Sequence, residues 1–407
     1  MKCRHCNASL THTFLNLGFA PPSNAYLSEE ELSRPEVYFP LNIKVCDHCW
    51  LVQTEDYAQA NEFFSPDYAY FSSTSTSWLA HARNYSEKIS CHLGLNANSL
   101  VIEVASNDGY LLKNFVEFGI PCLGIEPTDS TAEAAEKLGI PVLRKFFGED
   151  LGKHLAVQGR QADLIIGNNV YAHVPDINDF TRGLKAALKS GGTLTLEFPH
   201  LMRLIEQNQF DTVYHEHFSY LSLHSVTQIF EKAGLRVWNV EELQTHGGSL
   251  RVFGCHLADS RDAEASVSKL LQEESNRGMQ SLETYLCFQP RADKAKNDLL
   301  AFLIHQRNAG KKVVAYGAAA KGNTLLNYAG VKPDLLPFVF DAAVAKQNKY
   351  MPGSHIPIQA PDQLIQARPD YVLILPWNIA AEVKTQIRDS VGAEVKFVTA
   401  IPNLTEI

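Results

Sequence analysis

Short apolar runs that end in small or polar residues recur through the central part of the chain. Residues 100–104 form such a run, followed by a turn of small residues and an apolar helix over residues 111–118. A second run, residues 121–126, ends on the acid Glu126. This order predicts a doubly wound α/β nucleotide-binding domain over residues 96–255. In such a domain the first turn lets a ligand approach the backbone, and Glu126 can accept hydrogen bonds from both ribose hydroxyls.

The same pattern returns near the C-terminus. Residues 312–316 are an apolar run, and residues 317–323 are a small-residue turn that leads into a helix. A later apolar strand again ends on an acid, so a second Rossmann-like domain is predicted over residues 256–407. The turn can hold a diphosphate through backbone N–H groups and the ammonium of Lys321, and Asn323 is a further candidate substrate ligand. The alternative is a degenerate scaffold that only covers the active site.

Two Cys-x2-Cys pairs stand in the N-terminal part, residues 1–65. Cys3 and Cys6 form one pair, and Cys46 and Cys49 form the other. Two such turns supply four soft thiolates that can close a tetrahedral shell, which zinc favours. A redox site would need only one pair within a thioredoxin-like βαβ unit. Because four cysteines complete the shell, the zinc is expected to hold the fold rather than to perform chemistry.

Length and composition set broad limits on the protein. The chain has 407 residues, with 45% apolar and 20% charged residues, as expected for a soluble protein of two or three domains. The net charge of −9 argues against obligate nucleic-acid binding. We find no apolar stretch of about 18 residues and no signal-peptide hydrophobic region, so a cytoplasmic protein without structural disulfides or a membrane anchor is expected. The remaining cysteines are expected to be buried small hydrophobes: Cys91, Cys122, Cys255 and Cys287.

A hydroxyl-rich segment connects the cysteine module to the central domain. It leads into a helix predicted over residues 79–93, which Ser75 or Ser77 can cap. Tyr68 and Tyr70 precede the helix, and either a packing role or a hydroxyl directed at a substrate oxygen fits them. The predicted parts of the chain are therefore a zinc-binding module (residues 1–65), a connector helix (66–95), the central domain (96–255) and the C-terminal domain (256–407).

An unusual cluster of titratable residues lies within residues 211–220. Tyr214, His215, Glu216 and His217 are consecutive. A phenol, two imidazoles and a carboxylate so close together indicate acid–base chemistry. The alternative is a polar surface loop that contains histidines by chance.

The turn after the first central strand indicates the type of cofactor. It lacks GxGxxG, since Ala105 and Asn107 stand where glycines would be, which favours a compact adenosine ligand over a pyrophosphate dinucleotide. This loop and its downstream acid resemble motif I and the partner acid of class I S-adenosylmethionine (SAM) methyltransferases. The loop after the fourth strand resembles the segment under the methionine part. The resemblance implies that the following residues bind SAM: Glu103, Ser106, Asn107, Asp108, Gly109, Glu126, Asn168 and Asn169.

Beside an electrophilic methyl donor, the titratable cluster suits a carbon acceptor. A carbon next to a carbonyl must lose a proton before it can attack, and the resulting enolate oxygen needs stabilisation. An imidazole can remove the proton, a phenol can stabilise the enolate, and a carboxylate can orient either group.

The whole chain resembles the family of sugar C-methyltransferases that act on nucleotide-linked 4-keto-deoxysugars. The resemblance is carried by the two Cys-x2-Cys pairs, the tyrosine–serine segment, the EVASNDG loop, and the motifs YHEHFSY, GGSLRV and YGAAAKGNTLLN. It implies an α/β fold with a central class I methyltransferase domain, an N-terminal zinc module and a C-terminal Rossmann-like domain. The alanine in EVASNDG departs from the glycine usual there and can alter cofactor packing.

The family resemblance also implies roles for individual residues. His217 would be the general base that removes the proton from C3 of the sugar, with Tyr214 and Glu216 in its acid–base network. Tyr68 or Tyr70 would point at the sugar. The nucleotide sugar, dTDP-linked or another, would lie between the central and C-terminal domains.

Arg251 belongs to the motif HGGSLRV, which combines a flexible turn with one arginine. This combination suits either a substrate phosphate or a sheet edge, and Arg251 is a candidate substrate ligand.

Two other classes of function remain open. A methyltransferase acting on RNA or protein could use the zinc module for recognition, but residues 46–57 are acidic rather than basic. A non-catalytic nucleotide-sugar-binding protein would be expected to lose His217 or the donor loop, the EVASNDG segment at residues 103–109 that resembles a SAM-binding loop. Both are intact. The sequence does not indicate the sugar, the nucleotide, the stereochemistry or the oligomeric state.

Overall fold

The computed structural model describes residues 1–55 and 71–407, except for the side chain of Asp389, and arranges the strands in three sheets. The candidate residues Tyr68 and Tyr70 lie outside the described part. The strands are β1 (His12–Ala20), β2 (Phe39–Val45), β3 (Val52–Thr54), β4 (Val101–Val104), β5 (Cys122–Ile125), β6 (Val142–Leu143), β7 (Ala162–Asn168), β8 (Leu188–Pro199), β9 (Ser219–Tyr220), β10 (Leu235–Leu243), β11 (Ser249–His256), β12 (Val313–Tyr316), β13 (Val339–Phe340), β14 (Ile358–Gln359), β15 (Tyr371–Ile374), β16 (Lys396–Thr399) and β17 (Thr405–Glu406).

The α-helices pack against these sheets and connect their strands. They are α1 (Thr76–Leu93), α2 (Leu112–Glu117), α3 (Asp129–Lys137), α4 (Glu149–Val157), α5 (Ile177–Ala187), α6 (Leu201–Glu206), α7 (Leu223–Ala233), α8 (Ala265–Asn276), α9 (Leu282–Leu286), α10 (Phe288–Asn308), α11 (Ala320–Ala329), α12 (Leu364–Ala367) and α13 (Ala380–Ile387). Within the part that the structure describes, none of these helices has both the length and the apolar composition needed to cross a membrane.

The central sheet has the strand order β10-β11-β8-β7-β4-β5-β6. The five neighbouring strands β8, β7, β4, β5 and β6 are parallel to one another. Strand β11 lies between β8 and β10 and is antiparallel to both. All four residues of β4 are buried, as expected for a parallel strand covered on both faces. The chain turns in opposite directions after β4 and β7, which are adjacent, so the loops after these two strands meet at one edge of the sheet. This edge is where a doubly wound sheet binds its ligand.

The observed element boundaries differ slightly from the predicted ones. The predicted helix over residues 79–93 begins three positions earlier, at Thr76, because the Ser75 side chain accepts a hydrogen bond from the Trp78 N–H. Of the two candidate caps, Ser75 is therefore the one used. Cys91 and Cys287 are exposed, which corrects the expectation that all four scattered cysteines are buried; Cys91 lies on the solvent face of α1, and Cys287 lies between α9 and α10.

The N-terminal sheet has the order β1-β2-β3-β9 and is antiparallel. Its last strand, β9, comes from a different part of the chain and begins two residues after His217. Val52 and Gln53 of β3 pair with Tyr220 and Ser219 of β9. The segment that carries the titratable cluster is therefore anchored to the N-terminal module.

The C-terminal sheet has the order β14-β13-β12-β15-β16-β17 and is parallel except for β17. Side chains tie it to the other two parts. The Tyr26 hydroxyl donates to the backbone oxygen of Ala318 at 2.5 Å, and the Trp377 indole N–H donates to Asp211 at 2.8 Å. The C-terminal sheet is therefore held against both the N-terminal module and the segment of the titratable cluster.

Candidate active site

The four paired cysteines come together at the end of the N-terminal sheet. The Sγ atoms of Cys3, Cys6, Cys46 and Cys49 all lie within 4.8 Å of one another. The distances from Cys3 to Cys49 and from Cys6 to Cys46 are both 3.5 Å. Four thiolates bound to one tetrahedral zinc at about 2.3 Å would have sulfur–sulfur distances of nearly this size. The cluster therefore fits a closed structural zinc site.

The loop after β4 has the backbone conformation that glycines usually supply. Ala105 and Asn107 have φ values of +57° and +49°, and Gly109 has +77°. A Cβ at Gly109 would lie 2.5 Å from the side chain of Ile140, so only glycine fits there. The two non-glycine residues hold a left-handed conformation that is unfavourable for alanine and tolerated by asparagine. The turn predicted from the sequence is therefore formed, with strain at Ala105.

Two acids beside this loop are held by backbone groups. The Glu126 carboxylate is buried and accepts hydrogen bonds from the N–H groups of Asn107 and Thr128, both at 3.0 Å. Asp108 accepts from the Ser73 N–H at 3.1 Å, so the start of the connector segment lies over the loop. Each carboxylate oxygen has more than one lone pair, and Glu126 can still accept from a ligand hydroxyl.

Several buried polar atoms around the loop have no hydrogen-bond partner among the described residues. They are Glu103 Oε2, Ser106 Oγ and Asp108 Oδ1. Burial raises the pKa of Glu103 well above its usual range, and the charges of Asp108 and Glu126 raise it further. Buried polar groups in proteins are almost always satisfied, so these atoms fit a polar ligand such as the amino-acid and ribose groups of SAM.

Asn168 is the last residue of β7, the strand that pairs with β4, and Asn169 follows it. Asn168 is buried, and Asn169 has a left-handed backbone with φ of +53°. The side-chain amide nitrogen of Asn169 lies 3.3 Å from Nε2 of His246. The structure thus brings together all eight residues that the resemblance assigned to the cofactor, and it adds His246 beside them.

The titratable cluster is compact and buried. The backbone N–H of His217 donates to the backbone carbonyl of Tyr214 at 3.0 Å and closes a tight turn. This turn brings the Tyr214 and His217 rings to a centroid distance of 4.0 Å. His217 is 7% exposed. Burial, reinforced by the neighbouring His173, lowers the pKa of His217 well below its usual range. Its imidazole is therefore neutral at ordinary pH and can accept a proton.

His173 is a member of the cluster that the sequence did not single out. Its ring lies 4.6 Å from that of His217, and its Nδ1 lies 2.9 Å from the Glu216 backbone oxygen. A carbonyl can only accept, so Nδ1 carries the proton and Nε2 keeps its lone pair. Burial lowers the pKa of His173 to about 4. The only sequence signal was its place in the loop after β7, four residues beyond Asn169.

Glu216 and His215 face the N-terminal module. The Asn24 side-chain amide donates to both carboxylate oxygens of Glu216, at 2.9 and 3.1 Å. Nε2 of His215 lies 3.3 Å from the Phe39 carbonyl, and the two rings contact each other edge to face. His215 therefore supports the packing of β2 against the cluster.

The C-terminal domain contributes Lys321 to the same region. Its ammonium donates to the Asn378 side chain at 2.6 Å and lies 4.7 Å from the centroid of the Trp377 ring. Burial lowers the pKa of Lys321, and the nearby Asp211 partly opposes this effect. Burial also raises the pKa of Asp211 to about 6. A lysine in this position can bind an anionic group or stabilise a developing negative charge.

The structure gives the other two candidate substrate ligands different partners. Asn323 is fully buried, and its side-chain amide donates to the Ser23 carbonyl at 2.7 Å, which ties α11 to the N-terminal module. Arg251 is 5% exposed and donates to Glu197 at 2.6 Å and to Glu241 at 3.2 Å. Both side chains thus have partners within the protein, while Oδ1 of Asn323 is buried without a hydrogen-bond partner among the described residues. A role of either residue in substrate binding stays a prediction.

Comparisons with known proteins agree with this geometry. Three family descriptions match successive parts of the chain: "Putative zinc binding domain" over residues 3–64, "Methyltransferase domain" over residues 78–240 and "C-methyltransferase C-terminal domain" over residues 244–402. The fold and the site thus define a SAM-dependent methyltransferase with an N-terminal zinc-binding module.

The similarity to a curated relative extends along the whole chain. The chain is 33% identical over 401 residues to the C-methyltransferase NovU of Streptomyces niveus, an alignment that covers 98% of this chain and 95% of NovU. The chain therefore belongs to the C-methyltransferase family that its motifs resemble. The family resemblance stated from the sequence is confirmed.

Two solved methyltransferase structures each match less than half of this chain. A SAM-dependent methyltransferase from Clostridium acetobutylicum is 10% identical, with 43% of this chain and 91% of that chain covered and a TM-score of 0.35. The magnesium protoporphyrin IX methyltransferase from Synechocystis, solved with bound SAM, is 13% identical, with 44% and 80% covered and a TM-score of 0.33. At these TM-scores nothing about function is inferred from the likeness.

Proposed function

We propose that this protein transfers the methyl group of SAM to C3 of a nucleotide-linked 4-keto-deoxysugar, with dTDP the favoured nucleotide. The observation that carries the proposal is the pairing of His217 with Tyr214, whose ring centroids lie 4.0 Å apart, in a buried segment that packs against the loop after β7. An imidazole that stays neutral at ordinary pH and a neighbouring phenol suit the removal of a proton next to a carbonyl.

The proposed reaction has two steps. His217 takes the proton from C3, and the electron pair of the broken C–H bond moves onto the 4-keto oxygen to form an enolate. SAM, when bound, would supply an electrophilic methyl group. The enolate carbon would form the new C–C bond as the carbonyl re-forms, and the methyl–sulfur bond would break with its electron pair left on S-adenosylhomocysteine. Tyr214 would donate a hydrogen bond to the enolate oxygen. Asn24 would hold Glu216 in a fixed orientation beside these groups, since it donates to both carboxylate oxygens.

The proposal assigns the remaining residues by their surroundings. The four cysteines hold zinc in the module of residues 1–65, and the loop after β4 with Glu126, Asn168 and Asn169 binds SAM. The nucleotide sugar lies between the central domain (96–255) and the C-terminal domain (256–407), where Lys321 meets its diphosphate or its reacting end. Tyr68 or Tyr70, both outside the described residues, faces the sugar. A cytoplasmic location, without nucleic acid or membrane as partner, belongs to the same proposal.

The test is to incubate the purified protein with SAM and a panel of dTDP- and GDP-linked 4-keto-deoxysugars. We expect a mass gain of one methyl group on at least one sugar, with loss of deuterium from a C3-labelled substrate. His217→Asn should abolish both, while His305→Asn, which replaces an exposed histidine on α10, should behave as the wild type. Methylation of RNA without turnover of any 4-keto sugar would contradict the proposal, as would near-normal activity of His217→Asn.

A further inference from the structure

The turn Thr245–Gly247 is fixed to the rest of the protein at several points. The Thr245 hydroxyl donates to the buried Glu197 at 3.0 Å, and the Gln209 side-chain amide donates to the Gly247 carbonyl at 2.6 Å. A Cβ at Gly247 would lie 2.5 Å from the Trp377 ring, so the turn packs directly on the C-terminal domain. The turn is therefore rigid, and it joins the central and C-terminal domains.

The middle residue of this turn has an unfavourable backbone. His246 has φ of +53° and ψ of +21°, the left-handed region that few non-glycine residues adopt. Positions 246, 247 and 248 all have a positive φ. The second and third are glycines, but the first is a histidine. Strain of this kind is unfavourable and occurs preferentially at functional sites. The conformation indicates that this imidazole has a use.

The His246 side chain contacts residues beside both candidate binding sites. On the donor side, its Nε2 lies 3.3 Å from the Asn169 amide nitrogen, and its ring lies 5.5 Å from that of Trp78. On the acceptor side, its neighbour Gly247 packs against Trp377, over which the Lys321 ammonium lies. The imidazole is accessible to water, although enough protein surrounds it to lower its pKa. His246 therefore lies between residues of the two candidate sites.

The contact with Asn169 determines which ring nitrogen carries a proton. The amide nitrogen can only donate, so Nε2 accepts and Nδ1 carries the hydrogen. Among the described residues, Nδ1 of His246 has no hydrogen-bond partner. The neutral His246 imidazole thus presents its Nδ1–H as a donor in a region that also contains the Lys321 ammonium.

We propose that His246 is a further catalytic residue, whose Nδ1–H donates a hydrogen bond to the substrate oxygen that becomes negative when the carbon acid loses its proton. The inference rests on the proposed function and deepens it. The proton from carbon goes to His217 and the electron pair goes to the carbonyl oxygen. The Nδ1 proton stays on nitrogen throughout, so His246 stabilises charge without a net proton transfer.

The test separates the two half-reactions. His246→Gly removes the imidazole and suits the left-handed backbone, so the turn should stay folded. With S-adenosylhomocysteine in the donor site, deuterium exchange at C3 of the 4-keto sugar should fall about 100-fold or more, and methyl transfer should fall in parallel. The calorimetric Kd for S-adenosylhomocysteine should change less than about 3-fold, because charge stabilisation on the sugar leaves cofactor affinity intact. Added free imidazole should restore part of the exchange.

His355→Gly is the matched control. His355 is also a histidine with a left-handed backbone, at φ of +55°, but it pairs with Glu36 between the N-terminal and C-terminal parts. This variant should exchange and methylate as the wild type does.

Three outcomes overturn the inference or its premise in distinguishable ways. Normal exchange with weakened S-adenosylhomocysteine binding would mean that His246 only positions Asn169. Normal exchange and normal binding in His246→Gly would remove any catalytic role. If the wild-type protein exchanges C3 hydrogen in no 4-keto sugar, the proposed function itself fails.

Discussion

His173 and His217 face each other at a ring-centroid distance of 4.6 Å in the buried interior of the candidate active site. The hydrogen bond from His173 Nδ1 to the Glu216 carbonyl fixes one tautomer. A protonated His217 would have to share this dry space with a second imidazole, and burial already disfavours its charge. The pair therefore favours the neutral, proton-accepting form of His217.

The first prediction concerns pH. A general base works only when unprotonated, and the lowered pKa of His217 keeps it unprotonated below the ordinary histidine range. We expect kcat/KM for the sugar to stay high as pH falls through about 6.5 and to drop only below it. His173→Asn removes one group that disfavours the His217 charge, so the acidic limb should move to higher pH. An acidic limb at or above pH 6.5 in the wild type would contradict this assignment.

The second prediction concerns the metal. Because four thiolates are needed to close the tetrahedral shell, Cys46→Ser should lose the zinc. Elemental analysis should find about one zinc per wild-type chain and much less in the variant, with a lower Tm by calorimetry. Cys91→Ser removes an exposed thiol outside the cluster and should leave both values unchanged. Equal zinc content in the two variants would exclude this site.

The third prediction tests the structural role of Arg251. Its guanidinium pairs with Glu197, which is 0% exposed, and removing one partner of a buried ion pair leaves an uncompensated charge. Arg251→Met should lower the free energy of unfolding by about 3 kcal/mol or more, measured by urea denaturation. Arg182→Met breaks an exposed pair with Glu149 and should cost less than about 1 kcal/mol. A stable Arg251→Met protein with only a raised KM would instead favour phosphate binding.

The fourth prediction concerns the strained backbone of Ala105 in the loop after β4. Ala105 has φ of +57°, which is unfavourable for any side chain with a Cβ. Ala105→Gly should increase the free energy of unfolding by about 0.5 kcal/mol, the relief of strain exceeding the added entropy of the unfolded chain. Ala105→Val should decrease it, because a β-branched residue tolerates this conformation least. Thermal or urea unfolding of both variants measures the difference, and destabilisation by glycine would contradict it.

The fifth prediction concerns the carboxylate in the cluster. The Asn24 amide donates to both oxygens of Glu216. Asn24→Asp would place two carboxylates in hydrogen-bond contact, so one would have to take up a proton or move away. We expect kcat to fall more for Asn24→Asp than for Asn24→Ala, with the loss partly reversed at lower pH. Asn98→Asp, an exposed asparagine elsewhere, is the control. Equal activity of all three variants would show that the orientation of Glu216 is unimportant.

The sequence by itself determined the features that depend on neighbours along the chain. The spacing of Cys3 and Cys6 and of Cys46 and Cys49, the small-residue turn at residues 105–109 and the strand ending at Glu126 are local patterns. A Cys-x2-Cys turn or a strand-to-helix turn is set by a few residues, so its chemistry can be read before the fold is known. The same holds for the consecutive side chains from Tyr214 to His217.

Tertiary structure alone decided which of these features meet. His173 joins the cluster through a hydrogen bond that spans 43 residues, and His246 reaches Asn169 across 77. Arg251 donates a hydrogen bond to Glu197, 54 residues away, which the motif HGGSLRV alone could not predict. These contacts arise because sheet order places β4 beside β7 and because β9 extends the N-terminal sheet. Such proximity depends on packing between distant segments, which leaves no periodic or local signal in the sequence.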